Sequence, residues 1–474
     1  MDAHGNANIK IVSDQVISTG SFTFGENTFE NLPVARRIAY EMRPGEGSFI
    51  RVELWLPQNW NGIFLGHGNG GLAGKIKHHN FLPYVSRGYA VAHTDMGTWR
   101  GLARGVDNPD VWRDFGWRST YLMTVESKKM VRAHYGKDAD FSYFIGASTG
   151  GQQAMCMAQR FPEEYNGIIA GVPGNNRVFL HTYFLWIHTH LRTRDGRVLF
   201  TPEQTEAITC AAADFFQSLG DGEPGDDFVT HPYVGKDTVV RFLEFLSHRL
   251  PLTDEQMAAL KAVYDGPVNP KTGERIYSGM PIGAEMFGLF EAAQLPEGKN
   301  LYPFKWAFGS DYDIYTFDYA DDLERIAKKL GPDMNANDPD LTAFCAHGGK
   351  LIAYSGSSDP YVPYPDFMKY YRRVCDIMGG VESVQKFFKY FVLPGKNHDA
   401  DGKGVNKFGM DESCTDVLEA IRLWREKGIE PRFMMGMRVL DGEVVFKRPV
   451  YPYSCDKREG YDCPDACDSR YLEK

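Results

Sequence analysis

The amino-acid sequence predicts an α/β fold: a mainly parallel sheet with helices on both faces and a large helical insertion late in the sheet. Three observations carry that expectation. Short apolar runs recur at residues 63–65, 89–95, 143–145, 349–354 and 389–393; runs this short between turn residues read as strands buried on both faces. Helical patterns separate them, the longest at 118–135, so strand and helix alternate as parallel sheets require. Residues 201–320 then break the alternation with helical segments, glycines and prolines, and no run of buried strands. At 474 residues the chain is well beyond one small core. The expected organisation is a first core part over 1–180, an inserted lid domain over 181–325, and a second core part with a C-terminal tail over 326–474.

Charge and composition exclude several classes. A formal net charge of -10 argues against a nucleic-acid or anionic-membrane partner. No apolar run approaches the length of a membrane span. The N-terminus, MDAHGN, has neither a basic nor an apolar signal region. Eight cysteines are few for this length, and most stand singly in apolar contexts. Cys455, Cys463 and Cys467 cluster in the tail without an evident fourth ligand for a metal. These features set the expectation of a cytoplasmic protein in a reducing compartment.

In chain order, residues 49–56 read as a strand with one wet face, and the turn at 57–62 leads into the buried strand at 63–65. That strand runs into Gly66-His67-Gly68-Asn69-Gly70-Gly71-Leu72-Ala73-Gly74. Backbone N–H groups in such a loop can approach an oxygen closely; Lys75 is followed by Ile76, so the phosphate-loop pattern is absent. The strand at 89–95 ends in Asp95, a residue type that caps loops. The central stretch is 141–175: an apolar run, then Gly146-Ala147-Ser148-Thr149-Gly150-Gly151, then a helical pattern placing Ala154, Met157 and Ala158 on one face. Strand, Gly-x-Ser-x-Gly turn and helix describe a nucleophile elbow. The N–H of Thr149 is a ready oxyanion donor at the helix start, and Gly71 in the glycine loop is the second.

Beyond residue 176 the sequence turns aromatic. His188 and His190 lack a third ligand at a recognisable spacing and read as structural. Residues 220–227 gather four carboxylates in a turn-rich loop, oxygen chemistry suited to calcium although the spacing is not that of an EF-hand. The sheet pattern returns with Asp359 in the loop after one strand and His398 in the loop after the next. Ser148, Asp359 and His398 stand in the chain order of the α/β-hydrolase triad. In that arrangement His398 takes the serine proton, and Asp359 fixes its tautomer.

The stretches LPQNWNGIFLGHGNGGLAG, YFIGASTGGQQAMCMAQRFPEEYNGIIAGVPGNN, LTAFCAHGGKLIAYSGSSDPYVP and FVLPGKNHDADG resemble the tannase/feruloyl esterase family, over nearly the full chain. The resemblance implies an α/β-hydrolase core with a lid, an activity on small-molecule esters of aromatic acids (gallate or hydroxycinnamate type), and no required cofactor. It places the family's serine, aspartate and histidine on Ser148, Asp359 and His398. It also implies a lid calcium site, for which Asp221, Asp226, Asp227 and the carbonyl of Val229 are the candidates. The chain departs from the pattern at Ala147 and Asp399, where the family usually carries a cysteine pair, and at Val34-Ala35. Asp399, as an added charge beside the histidine, is expected to raise its basicity. The alternatives left open are a serine hydrolase of another bond class and an inactive binding protein; oligomeric state is not legible.

Overall fold

A computed structural model describes residues 8–232, 237–294, 301–399, 402–410 and 416–454, with side chains given for all of these but 290–294. The strands are β1 (Asn8–Ile17), β2 (Phe22–Phe24), β3 (Asn27–Phe29), β4 (Ala35–Arg43), β5 (Ile50–Pro57), β6 (Ile63–His67), β7 (Ala90–Thr94), β8 (Phe141–Ala147), β9 (Gly167–Gly171), β10 (Lys350–Gly356), β11 (Phe388–Leu393), β12 (Lys407–Gly409), β13 (Met434–Leu440) and β14 (Glu443–Val450). Nine form one sheet in the order β1-β4-β5-β7-β6-β8-β9-β10-β11. From β7 to β11 every pairing is parallel, while β1, β4 and β5 extend the sheet antiparallel.

The period of two along each strand divides the apolar residues between two layers. Val52, Leu54, Phe64, Phe144, Leu351, Ala353 and Tyr390 enter one core, with Met123, Met157 and Tyr371 from the helices Ser119–Tyr135, Thr149–Arg160 and Tyr364–Ile377. Their neighbours Trp55, Leu65, Tyr143, Ile352 and Phe391 enter the other, against Phe81 and Ile421 of the helices His78–Ser86 and Val417–Lys427. A sheet covered on both faces explains why its strands read as continuous apolar runs rather than alternating ones.

Between β9 and β10 the described residues form helices, from Arg177–Leu191 to Thr342–Ala346, and contribute no strand to the main sheet. They build one further apolar cluster around Tyr183, Phe216 and Leu260, and share another, around Trp306 and Ile326, with Phe115 and Trp112 from the segment between β7 and β8. After β11 the chain adds a small antiparallel sheet, β12-β13-β14. No helix among the described residues is long and apolar enough to cross a membrane. Cys156, Cys210, Cys345 and Cys375 form no disulfide, and the tail cysteines lie outside the described residues.

Candidate active site

Parallel strands end on the same edge of a sheet, so the loops after β6, β8, β10 and β11 converge there. Ser148, at the turn between β8 and the helix Thr149–Arg160, has φ 60° and ψ −116°. A non-glycine residue in that region carries roughly 1–3 kcal/mol of strain and persists only where its surroundings over-determine it. Here they do. The Ser148 N–H donates to Gly171 O at 2.9 Å, and its carbonyl accepts from the N–H groups of Gln152 and Gly174 at 3.0 and 3.2 Å. The neighbouring glycines make the close approach: a Cβ on Gly146 would stand 2.5 Å from Gly150 O, and one on Gly150 would stand 2.7 Å from Asn69 O. The glycine loop after β6 therefore lies directly against the elbow.

That loop is held by Asn69, which is buried. Its side chain donates to Lys75 O and Thr94 O and accepts from the Gly70 N–H, while its own N–H donates to Gln153 Oε1 at 2.7 Å. The N–H groups of Gly68, Ala73 and Gly74 also have partners. Among the described residues those of Gly71 and Leu72 take no such partner. The Gly70 carbonyl accepts from Lys77 Nζ at 3.3 Å and from the Ala73 N–H at 3.2 Å. In a trans peptide the N–H opposes the carbonyl, so these bonds set the direction of the Gly71 N–H. Thr149 begins its helix with no side-chain cap, leaving first-turn N–H groups and the positive end of the helix dipole beside Ser148.

Asp359 and His398 meet as the chain order suggested. Asp359 is fully buried, accepting from the N–H groups of Tyr361 and Val362 at 2.8 and 3.0 Å and from His398 Nδ1 at 2.8 Å. A carboxylate on Nδ1 leaves Nε2 as the free acceptor. Burial pulls the His398 pKa down, but the charge and hydrogen bond of Asp359, and then the charge of Asp399, outweigh it, so the net shift is upward from 6.5. Ser148, Thr149, Gly71, His398 and Asp399 line one cavity of about 650 Å³, with Lys77, Arg177 and Phe184. His67, also in its wall, is held down to about 4 by burial.

Arg177 was not singled out from sequence. It is buried, donates to Thr149 Oγ1 at 3.1 Å, Gly71 O at 3.4 Å and Tyr302 Oη at 3.3 Å, and lies over the Phe115 ring. Thr149 Oγ1 itself donates to Gly71 O at 2.6 Å, so the two candidate oxyanion residues are tied together and to the helical insertion. A lone arginine after a loop has no spacing that would reveal this. Of the aromatics in the helical insertion, Phe184 lines the cavity. Trp306 is instead fully buried, donating to Leu102 O, and Trp186 donates to Ala262 O.

The calcium candidates are not brought together. Asp226 is held by the Arg448 guanidinium, with Nη1 to Oδ2 at 2.6 Å and Nη2 to Oδ1. Asp221 accepts from the N–H groups of Thr230 and His231 at 2.7 and 2.9 Å and pairs with His231 Nδ1 at 3.0 Å. Asp227 is 70% exposed and 3.5 Å from Lys403, and the Val229 carbonyl accepts from Ser357 Oγ at 3.2 Å. Calcium takes six to eight converging oxygens, and no group of three metal-ligating side chains stands together among the described residues. The donors present do not fit the ion.

A family model described as tannase and feruloyl esterase matches residues 36–295 and 297–458. The chain belongs to this family. Among family relatives, a feruloyl esterase B of Aspergillus niger is 27% identical over 433 residues, covering 87% of this chain and 81% of that protein. An uncharacterized esterase of Xanthomonas campestris pv. campestris is 28% identical over 520 residues, covering 96% and 89%. The solved feruloyl esterase B from Aspergillus oryzae superposes with a TM-score of 0.82 at 23% identity, covering 97% of this chain and 96% of that one. Tannin acyl hydrolase from Aspergillus niger gives 0.77 at 17%, covering 98% and 94%. These likenesses confirm the hydrolase-like α/β fold, and membership places the chain among esterases.

Proposed function

We propose that the protein hydrolyses carboxylic esters of aromatic acids of the hydroxycinnamate or gallate type, through an acyl-enzyme on Ser148. The observation that carries the reading is the Asp359–His398 pair opening onto the same cavity as a strained Ser148. Ser148 Oγ attacks the ester carbonyl carbon and its proton passes to His398 Nε2. The N–H groups of Thr149 and Gly71 hold the oxyanion of the tetrahedral intermediate. As the carbonyl re-forms, the bond to the alcohol oxygen breaks, and His398 returns the proton to that oxygen. Water then repeats the sequence on the acyl-enzyme: His398 takes its proton, the acid leaves, and Ser148 recovers its hydrogen. No metal takes part in these steps. The helical insertion acts as the lid over the acyl group, with Leu180 and Phe184 in the cavity wall.

The test is a panel of methyl ferulate, methyl gallate and an aliphatic p-nitrophenyl ester, with Ser148→Ala beside each. Turnover of an aromatic ester that falls by about 10⁴-fold or more in the variant is expected. Turnover of the aliphatic ester alone would remove the aromatic substrate class. Activity surviving the substitution would remove the mechanism.

A further inference from the structure

A second cavity, of about 720 Å³, shares Lys77 and His79 with the catalytic one but contains neither Ser148 nor His398. Arg37 of β4 and Glu53 of β5 stand in its lining, and the β2-β3 hairpin supplies Phe24 and Phe29. Arg37 is 8% exposed, and two of its nitrogens are spent on Glu53, Nε to Oε2 at 2.9 Å and Nη2 to Oε1. Its third nitrogen, Nη1, takes no hydrogen bond among the described residues and is not sealed from solvent. Glu53 also accepts from His78 Nε2 at 3.0 Å and from Trp55 Nε1 at 3.1 Å. Burial pushes the Glu53 pKa up, but the hydrogen bonds of His78 and Arg37 outweigh it and hold it at about 2. The carboxylate therefore stays ionised and fixes the guanidinium. A guanidinium is a rigid fork whose edges each match a carboxylate. One edge of Arg37 is on Glu53, and the edge that includes Nη1 is unused.

The rest of the wall says what kind of anion fits there. Beyond the Arg37–Glu53 pair, and with Arg51 paired to Asp95, the lining adds Lys75 and Lys77 against Glu41, a positive balance. Phe24 and Val12, 50% and 56% exposed, both belong to this lining. An exposed apolar side chain standing alone is ordinary. Two of them in one cavity, with Phe29 and Ile76, make an apolar wall beside the unused donors. The Phe24 and Phe29 rings lie 4.6 and 5.9 Å from the His78 ring, so aromatic groups cluster where the imidazole meets Glu53. An inorganic anion would leave the phenyl rings uncovered, and a hydrocarbon would leave the guanidinium edge unmet. A flat ring bearing a carboxylate satisfies both.

We propose that this cavity is a second binding site, for a small aromatic carboxylate whose acid group takes the free edge of Arg37 and whose ring packs on Phe24 and Phe29. The site goes beyond the esterase reading and does not rest on it, because its ligand is held and not cleaved. The experiment is calorimetry with cinnamate and with cinnamamide, a neutral molecule of the same shape. The catalytic cavity can also take an aromatic acid, so the titration is run on protein whose Ser148 has been labelled with a bulky fluorophosphonate. That protein is expected to bind one cinnamate, and cinnamamide at least ~10-fold more weakly, the range of a charge-assisted hydrogen bond. Phe24→Ser is expected to weaken cinnamate ~3–10-fold, as loss of an aromatic contact does. Arg37→Lys keeps a charge for Glu53 but not the second edge of the fork, and is expected to cost ~10-fold or more. Phe24 is half exposed and outside the catalytic cavity, so Phe24→Ser leaves the fold and the turnover of methyl ferulate unchanged. No cinnamate bound to labelled protein, equal binding of the amide, or an unchanged Kd in Phe24→Ser would each overturn the proposal. Failure of Ser148 to label counts against the esterase reading alone, and the comparison of wild-type and Phe24→Ser protein then decides the second site by itself.

Discussion

Asp399 stands where relatives are expected to carry a cysteine, and it is exposed at the rim of the cavity beside His398. Its charge is among the forces raising the His398 pKa, after Asp359. The sign for catalysis follows directly. His398 must be neutral to accept the serine proton, so kcat/KM rises with pH as His398 loses its own proton, and a raised pKa moves that limb upward. Asp399→Asn removes one raising influence while leaving the Asp359 bond in place. The acidic limb of the pH profile is therefore expected to move to lower pH, with the plateau rate nearly unchanged. A limb that stays put would mean solvent at the rim screens the charge from the imidazole. The same raised pKa works the other way for stability: the protonated imidazolium is favoured in the folded state, so this contribution is present below about 6.5 and fades as pH rises through the folded value.

At the scale of elements, the elbow depends on backbone packing against backbone. The helix that begins at Thr149 and the loop after β6 touch through Gly68 and Gly150, with a Cβ on Gly150 meeting Asn69 O at 2.7 Å and Gly68 Cα at 3.2 Å. Main-chain atoms cannot swing away as a side chain can. Gly150→Ala is expected to cost ~1–3 kcal/mol, as overpacking does, and to displace the loop that carries Gly71. Denaturant unfolding reads the first effect and the rate of fluorophosphonate labelling at Ser148 reads the second; unchanged labelling would mean that Gly71 is placed independently of the elbow. This element was legible because its glycines are spaced by a geometric need, and β6, β7, β8, β10 and β11 were legible because burial on both faces writes an unbroken apolar run; β9, GIIAG, is too short between its glycines to stand out. The antiparallel edge was less so: β4, ARRIAYEMR, mixes cations with a buried face and carries an ion pair, Arg37 with Glu53, inside the fold. Lys77 and Arg177 were invisible for a different reason. Their roles come from segments joined in space, and a single cation at the start of a helix has no period.

Across the whole molecule, the acidic loop of the insertion is tied to the C-terminal sheet by a guanidinium. Arg448 on β14 crosses to Asp226 from 222 positions away in the chain, and the pair is well buried, at 13% and 4% side-chain exposure. The Asp226 carboxylate also accepts from the Glu223 N–H at 3.0 Å, and the neighbouring Val229 carbonyl takes the Ser357 hydroxyl, two residues before Asp359. A guanidinium thus satisfies the carboxylate a divalent cation would otherwise bind, and joins the insertion, the small sheet and the Asp359 loop. Two outcomes follow. Neither EDTA nor millimolar calcium is expected to move the thermal unfolding temperature of the wild-type protein, since the donors are already engaged. Arg448→Met leaves a buried carboxylate without its partner, and breaking such a pair costs ~3–5 kcal/mol, a loss that denaturant unfolding would register. If EDTA instead lowers the unfolding temperature and calcium restores it, the loop closes around an ion in solution, and Arg448 must then give up Asp226 when the ion binds.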